Sequence, residues 1–279
     1  MRCSSPRRKS VFSHGPFRVP YRVYGEGEDI ICLNGIQQSM AMWFSFVQHF
    51  EKKYRITLFD FPYQGNNNNN NGSLNLSLDE QVSILKSLIE ELGIEKSTIC
   101  SASWGGVVAL LFAVHFPDFV DRLILASIGM RPNAFMKDTI LEGINADESD
   151  RERMAKIIIN RFGGNLPEKI KLQITKQFKS MSGKRLKAFC EHGLSIVSAG
   201  PLNARVPLSQ VEKNTVIIYG ENDKIIDYAD VEDLAFRMSD CTIKTIPSVG
   251  HFLHLEDKSI FGVYEEILEQ NRIRDSISF

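Results

Sequence analysis

Short apolar runs alternate with segments of helical periodicity along most of the sequence. The runs are predicted strands, and they lie at Phe17–Tyr24, Ile30–Leu33, Ile56–Phe59, Thr98–Ser101, Leu123–Ser127, Val216–Tyr219 and Thr242–Ile246. The middle runs are almost continuously apolar, as expected for strands that are covered on both faces. This alternation predicts an α/β fold with a mostly parallel central sheet flanked by helices.

The alternation is interrupted between Met130 and Arg205, where the sequence reads as several amphipathic helices. It then resumes toward the C-terminus. We therefore expect residues 130–205 to form a helical cap, inserted into a core made of residues 1–129 and 206–279. A chain of 279 residues is long enough to bury such a core and to carry the insertion.

Composition argues against several classes of function. The chain has 33 basic and 34 acidic residues, so it lacks the net positive charge typical of proteins that bind nucleic acid. The five cysteines are isolated in sequence, which fits reduced thiols, and no metal-ligand spacing is present. The longest apolar run is too short for a membrane span, and no signal peptide is recognisable. We expect a cytoplasmic protein with no metal or cofactor; the oligomeric state is left open.

The turn at Ser103 is the first feature that points to chemistry. It joins the predicted strand Thr98–Ser101 to Gly105–His115, a helix that is apolar on almost every face. A sharp turn here needs small residues two positions before and after the serine, and Ser101 and Gly105 supply them. The pattern is that of a G-x-S-x-G nucleophile elbow with Ser101 at the first glycine position. Ser103 is therefore the candidate nucleophile.

A serine nucleophile needs a general base and an acid that orients the base. Asp223 and His251 each follow a predicted strand, and they come in the chain order serine, acid, histidine. Asp227 is the alternative acid, although Asp223 fits the strand end better. His254 is the alternative base, although it lies at a predicted helix start.

The oxyanion hole needs two backbone N–H groups. One is expected from Trp104, the residue after the nucleophile, and the other from Ile36, in the loop after an early strand. Gln37 is an alternative donor in that loop. Gly35 permits a close turn there, and Asn34 could tie the loop down through its side chain.

Two further segments stand out by composition. Between Leu166 and Arg205, eight basic and two acidic residues give a net charge of +6, so the rest of the chain carries −7. Such a stretch is either a solvated helix face or a docking surface for an acidic partner. The six asparagines Asn66–Asn71 predict a surface loop, to which we assign no chemistry.

Three stretches resemble the 3-hydroxyacyl transferases of bacterial lipid metabolism, a group within the α/β-hydrolase superfamily. They are Leu58–Gly65, Ser101–Gly106 and Gly250–Glu256. The most specific shared features are the Ser-Trp-Gly-Gly elbow after a small residue other than glycine, and the Asp-x-Pro-aromatic-x-Gly loop. The group includes the rhamnolipid-pathway synthase of 3-(3-hydroxyalkanoyloxy)alkanoate and the 3-hydroxyacyl-carrier-protein transacylase of polyhydroxyalkanoate synthesis.

The resemblance implies an α/β-hydrolase fold with a catalytic triad of Ser103, Asp223 and His251. It further implies a serine acyl-enzyme that takes 3-hydroxyacyl groups from acyl carrier protein, the expected partner, and passes them to a second 3-hydroxyacyl chain. The product would be a biosurfactant precursor. A carboxylesterase or acyl thioesterase, with water as acceptor, is the alternative. A non-catalytic binding protein on the same scaffold is the third possibility.

The loop after Asn34 departs from the group, because Met40, Met42 and Trp43 stand where small residues are usual. We expect these residues to reshape the acyl pocket. Aromatic side chains of the cap are further candidates for its wall, although such residues also pack as a cap core. The residues assigned to substrate binding are Asn34, Gly35, Gln37, Trp43, Phe135, Phe162 and Phe178.

Overall fold

The computed structural model describes residues 5–36, 38–65, 76–144, 151–198 and 200–277. Eight strands form one sheet in the order β1-β2-β4-β3-β5-β6-β7-β8. The strands are β1 (Arg8–His14), β2 (Phe17–Tyr24), β3 (Glu28–Leu33), β4 (Tyr54–Phe59), β5 (Ser97–Ala102), β6 (Val120–Ala126), β7 (Thr215–Gly220) and β8 (Cys241–Ile246). Strands β3 to β8 are parallel, whereas β1 and β2 form an antiparallel hairpin at one edge.

All seven predicted strands are confirmed, with ends that differ by a few residues. The strand that the sequence analysis missed is β1. Its residues are mostly exposed, with only Phe12 buried, so it lacks the apolar run that marks an interior strand. The parallel strands place their carboxyl ends at one edge of the sheet, where ligand sites form in open α/β folds.

Helices cover both faces of the sheet. They are α1 (Phe44–Phe50), α2 (Leu78–Glu91), α3 (Trp104–His115), α4 (Ala134–Ile144), α5 (Arg151–Phe162), α6 (Glu168–Ser180), α7 (Gly183–Ser198), α8 (Tyr228–Phe236), α9 (Leu253–Glu256) and α10 (Ile260–Ile277). A short 3₁₀ turn, Met40–Trp43, precedes α1. Helix α2 begins with a capping box, since the Ser77 hydroxyl accepts from the Glu80 N–H and the Glu80 carboxylate accepts from the Ser77 N–H.

Helices α4 to α7 follow one another between β6 and β7, within the segment expected to form the cap. Part of this segment has its own apolar cluster, in which Met154, Phe178, Met181 and Leu186 pack together, apart from the two clusters on the sheet faces. The division at residues 129/130 and 205/206 stays a prediction. Gln37 and the Asn66–Asn71 tract lie outside the described residues.

Candidate active site

Ser103 occupies a sharp turn between β5 and α3. Its backbone has φ 49° and ψ −117°, a conformation that residues other than glycine adopt at a cost of about 1–3 kcal/mol. Two hydrogen bonds hold it: the Ser103 N–H donates to the Ala126 carbonyl over 2.8 Å, and the Gly106 N–H donates to the Ser103 carbonyl over 2.8 Å. The strained turn lifts the side chain out at the carboxyl edge of the sheet.

Close backbone contacts explain the small residues after Ser103. A Cβ atom on Gly105 would lie 2.7 Å from the Leu33 carbonyl oxygen and 2.8 Å from that of Asn34, so no larger residue fits. A Cβ atom on Gly106 would lie 3.3 Å from the Ser101 hydroxyl. Ser101 is fully buried, and its hydroxyl has no hydrogen-bond partner among the residues that the structure describes.

Asp223 and His251 are hydrogen-bonded side chains at the ends of β7 and β8. The Asp223 Oδ2 atom lies 2.8 Å from Nδ1 of His251. The other carboxylate oxygen accepts from the N–H groups of Ile225, at 2.8 Å, and Ile226, at 3.1 Å. The acid is therefore fixed from both sides. With Nδ1 directed at the carboxylate, Nε2 is the ring nitrogen available to a serine hydroxyl.

The two alternatives left by the sequence have other partners. Asp227 accepts a hydrogen bond from the Asn133 side chain over 2.9 Å, at the start of α8. His254 is buried, and its Nε2 atom lies 2.8 Å from the Tyr264 hydroxyl. Burial lowers the pKa of His254 to about 3, so the ring is neutral at physiological pH. Neither residue lines the cavity that contains Ser103 and His251.

The loop that carries His251 is held by a carboxylate that the sequence analysis did not assign. Glu256 accepts from the Gly250 N–H over 2.7 Å and from the Phe252 N–H over 3.0 Å, so it binds the amides on both sides of the histidine. The Ser127 hydroxyl donates to the His251 carbonyl over 2.7 Å. The available signal was the acid at the end of the Gly250–Glu256 stretch.

Hydrogen bonds to residues of β4 and the segment after it hold the loop that carries Ile36, the proposed oxyanion donor. The Asn34 side chain donates to the Phe59 carbonyl, at 3.1 Å, and to Asp60 Oδ1, at 3.0 Å. The same Asp60 oxygen accepts from the Met40 N–H over 2.6 Å. Asp60 is buried, and it belongs to the Asp-x-Pro-aromatic-x-Gly loop, to which the sequence analysis gave no role in the site.

Gly35 and Ile36 reach the cavity wall. The Gly35 N–H donates to the Gln38 side chain over 3.0 Å, so this amide is already used and Ile36 remains the better candidate donor of the two. Trp104, the other expected donor, has its indole N–H directed at Gln81 Oε1, 3.0 Å away. The ring also contacts His192 of α7, whose pKa burial lowers to about 4.

A cavity of about 320 Å³ lies between the sheet edge and the helices α4 to α7. Ser103 and His251 line it together with Phe162 and Phe178, two of the predicted wall residues. The remaining wall is mainly apolar, with isoleucines and methionines of α4, α5 and α6. A mainly apolar cavity beside a candidate nucleophile suits an acyl chain.

Three residues assigned to substrate binding lie elsewhere. Trp43 is fully buried, with ring centroids 5.6 Å from Phe46 and 4.4 Å from His254, and it does not line the cavity. The 3₁₀ turn directs Met42 to the cavity instead. Phe135 is exposed and does not line the cavity, and the Asn34 side chain holds its own loop through hydrogen bonds.

Comparison with known proteins agrees with this architecture. A family model described as alpha/beta hydrolase fold matches residues 30–258. The chain is 26% identical over 257 residues to an (R)-3-hydroxydecanoyl-ACP:CoA transacylase of Pseudomonas putida, covering 88% of this chain and 84% of that protein. It is 26% identical over 255 residues to a pimeloyl-[acyl-carrier protein] methyl ester esterase of Nitrosospira multiformis, covering 86% and 94%.

Among solved structures, an alpha/beta hydrolase enzyme from a Medee basin deep-sea metagenome library superposes with a TM-score of 0.74. The sequence identity is 24%, and the match covers 87% of this chain and 90% of that one. This likeness bears on the fold alone. The two similar sequences include one named as a transferase and one named as a hydrolase, so both reaction types occur among proteins of comparable identity.

Proposed function

The chain belongs to the alpha/beta hydrolase family, and from that premise we propose that it is a serine acyltransferase that takes 3-hydroxyacyl groups from acyl carrier protein. The observation that carries the proposal is the position of Ser103 and His251 on the wall of one apolar cavity, with Asp223 bonded to the histidine. The name of the Pseudomonas putida relative supports the carrier-linked substrate. The cytoplasmic location expected from the sequence stays a prediction.

In the first half-reaction, the Ser103 Oγ atom attacks the carbonyl carbon of the 3-hydroxyacyl thioester while His251 takes the hydroxyl proton. Asp223 stabilises the resulting imidazolium. The N–H groups of Trp104 and Ile36 stabilise the oxyanion. The C–S bond then breaks, the carrier sulfur takes the proton from His251, and the carrier leaves as a free thiol. An ester between the acyl group and Ser103 remains.

In the second half-reaction, the hydroxyl of another 3-hydroxyacyl chain loses its proton to His251 and attacks the Ser103 ester. The bond to Oγ breaks, and the proton returns to the serine. The product is an ester-linked dimer, a 3-(3-hydroxyalkanoyloxy)alkanoate. The apolar wall of the cavity favours this outcome over hydrolysis because it limits the access of water to the acyl-enzyme.

Product analysis tests the proposal. The protein is incubated with 3-hydroxydecanoyl carrier protein, with and without coenzyme A, and the products are identified by mass spectrometry. We expect the ester-linked dimer, and the Ser103→Ala variant should form none. If coenzyme A is the only acceptor, the protein is still an acyltransferase, but the acceptor is coenzyme A and not a second 3-hydroxyacyl chain. Free 3-hydroxydecanoate as the sole product would contradict the transferase.

The second candidate, an esterase or thioesterase, uses the same three residues with water as acceptor. Similarity to the methyl ester esterase of Nitrosospira multiformis is the observation that favours it. A fluorophosphonate probe separates both enzymes from a non-catalytic scaffold. Either enzyme should be labelled at Ser103, whereas a pure binding protein should remain unlabelled.

A further inference from the structure

The mouth of the cavity can be located from the exposure of its wall. Of the described residues that line it, those exposed to solvent are Ala41, Gln173 and Gln177. Ala41 belongs to the 3₁₀ turn before α1, and the two glutamines belong to α6. The cavity therefore opens between this turn and α6, so a substrate carried by another protein would arrive along α6.

Helix α6 separates a cavity face from an outer face. Successive residues are rotated by about 100° around a helix axis, so Ile170, Ile174 and Phe178 line the cavity together. Lys169, Leu172 and Lys176 project from another side, and all three are exposed. We call these three residues the outer face of α6. Gln173, at the mouth, lies between the two faces.

The charges on α6 divide into paired and unpaired lysines. Lys171 lies 2.8 Å from Glu168, and Lys179 lies 2.7 Å from Glu152, so both are neutralised by neighbouring acids. Lys169 and Lys176 form no ion pair with any residue in the described part of the chain. Between them lies Leu172, with 60% of its surface exposed, so this face combines two unpaired cations with one apolar side chain.

We propose that the outer face of α6 docks the acidic acyl carrier protein and presents its acyl chain to the mouth at Gln173. The inference rests on the proposed function. Two unpaired cations complement an acidic partner, and an exposed leucine between them supplies the apolar contact that a specific interface needs. Three further cations of the stretch, Lys184, Arg185 and Lys187 of α7, have side chains outside the described part of the structure, and Arg205 lies over the Trp104 ring; the proposal depends on none of them.

Charges at the rim of an interface act mainly on association. Reversing Lys169 and Lys176 should therefore raise the KM for a carrier-linked substrate and leave kcat close to the wild-type value. The effect should shrink as salt is added, because exposed charges are screened over about 10 Å at 0.1 M ionic strength. With a small thioester that lacks the carrier, the wild-type protein and the K169E/K176E variant should have the same kcat/KM.

A matched control removes the effect of overall charge. Lys9 of β1 and Lys52, in the turn before β4, are also exposed and form no ion pair within the described residues. Lys52 lies at the amino edge of the parallel strands, opposite to the edge that carries Ser103. K9E/K52E changes the net charge by the same amount as K169E/K176E but leaves α6 intact.

The experiment measures binding of acyl carrier protein to the inactive Ser103→Ala protein by fluorescence anisotropy at 20 and 300 mM salt. In low salt, K169E/K176E should weaken binding roughly tenfold, and K9E/K52E should change it less than twofold. Equal effects of the two double variants on binding would overturn the proposal. So would a failure of the Ser103→Ala protein without charge reversals to bind acyl carrier protein. Because this readout needs no turnover, the product assay judges the proposed reaction separately.

Discussion

The carboxylate of Asp223 lies 2.8 Å from the His251 imidazole and is held on its other oxygen by two backbone N–H groups. The Asp223 side chain is completely shielded from solvent, and that of His251 almost so. A shielded carboxylate that is satisfied on both oxygens can fix the tautomer of the ring, and in the proposed reaction it would stabilise the imidazolium formed when His251 takes the Ser103 proton.

Asp223→Asn tests this relationship. The amide has about the same shape, but its N–H₂ group can donate to Nδ1 and so favours the wrong tautomer of His251. We expect kcat to fall by roughly 10³ to 10⁴ on a chromogenic acyl ester. Asp227→Asn is the control, since Asp227 binds the Asn133 side chain and not the histidine. A similar loss in both variants would refute the assignment of Asp223.

Glu256→Gln tests the carboxylate that holds the histidine loop. An amide can accept from only one of the two N–H groups, at Gly250 or Phe252, and must direct its own donors at the other. His251 should then sample wrong orientations, so kcat should fall about tenfold or more while KM changes little. Glu266→Gln, which alters an exposed glutamate paired with Lys244, should leave both constants unchanged. A higher KM at constant kcat would point to a role in substrate binding instead.

Asp60→Asn tests the support of the oxyanion loop. One oxygen of Asp60 accepts from both Asn34 and the Met40 N–H, so it holds both ends of the loop that carries Ile36. Neutralising it weakens both hydrogen bonds, because those to a charged acceptor are stronger. We expect a loss of roughly tenfold or more in kcat with little change in KM. Unaltered kcat in a folded variant, checked by circular dichroism, would show that the loop does not need this charge.

The grouping of Ser103, Asp223 and His251 was predictable because each of these residues follows from a local rule. Ser103 sits between a buried strand and a buried helix, and Asp223 and His251 follow strands whose ends must meet at one edge of a parallel sheet. The supports were not predictable. Asp60 binds Asn34 and the Met40 N–H, which are distant in sequence and reach it only in the folded chain. Glu256 is close in sequence to Gly250 and Phe252, but a carboxylate at that spacing does not by itself predict hydrogen bonds to their N–H groups.

Trp43 shows a second limit of sequence reasoning. Neighbouring residues in a 3₁₀ turn point in directions about 120° apart, so one position decides whether a side chain faces the cavity or the core. Met42 lines the cavity, whereas Trp43 packs on Phe46 and His254. Strand β1 was missed for a related reason. It lies at the edge of the sheet and only Phe12 is buried, so its sequence lacks the apolar pattern by which the other strands were predicted.

The buried His254 predicts how stability depends on pH. Its pKa in the folded protein is about 3 because burial disfavours the charged ring, whereas an unfolded chain has an ordinary histidine near 6.5. Between these values the unfolded state binds more protons, so the free energy of unfolding falls as the pH is lowered, by about 1 kcal/mol per pH unit for this group. Denaturant titrations from pH 7 to 4 measure the slope.

His254→Gln should flatten that slope, because glutamine does not titrate. It should also lower stability at pH 7 through the loss of the ring packing on Trp43 and the hydrogen bond to Tyr264. His192, whose pKa burial lowers to about 4, supplies a second contribution that remains in the variant. An unchanged slope in the variant would mean that His254 is not buried in its neutral form.

The last prediction concerns the acyl pocket and uses two phenylalanines that touch. Phe135 and Phe162 form an edge-to-face pair with centroids 5.9 Å apart, but Phe162 lines the cavity and Phe135 lies outside it. Replacing either ring with alanine removes the same aromatic contact, worth about 1 kcal/mol. Phe162→Ala also enlarges the cavity and should shift the preference toward longer acyl chains, whereas Phe135→Ala should keep the wild-type profile. The measurement is kcat/KM on p-nitrophenyl esters of increasing length. If the two variants show the same dependence of kcat/KM on chain length, the acyl chain does not contact Phe162, and the cavity is not its binding site.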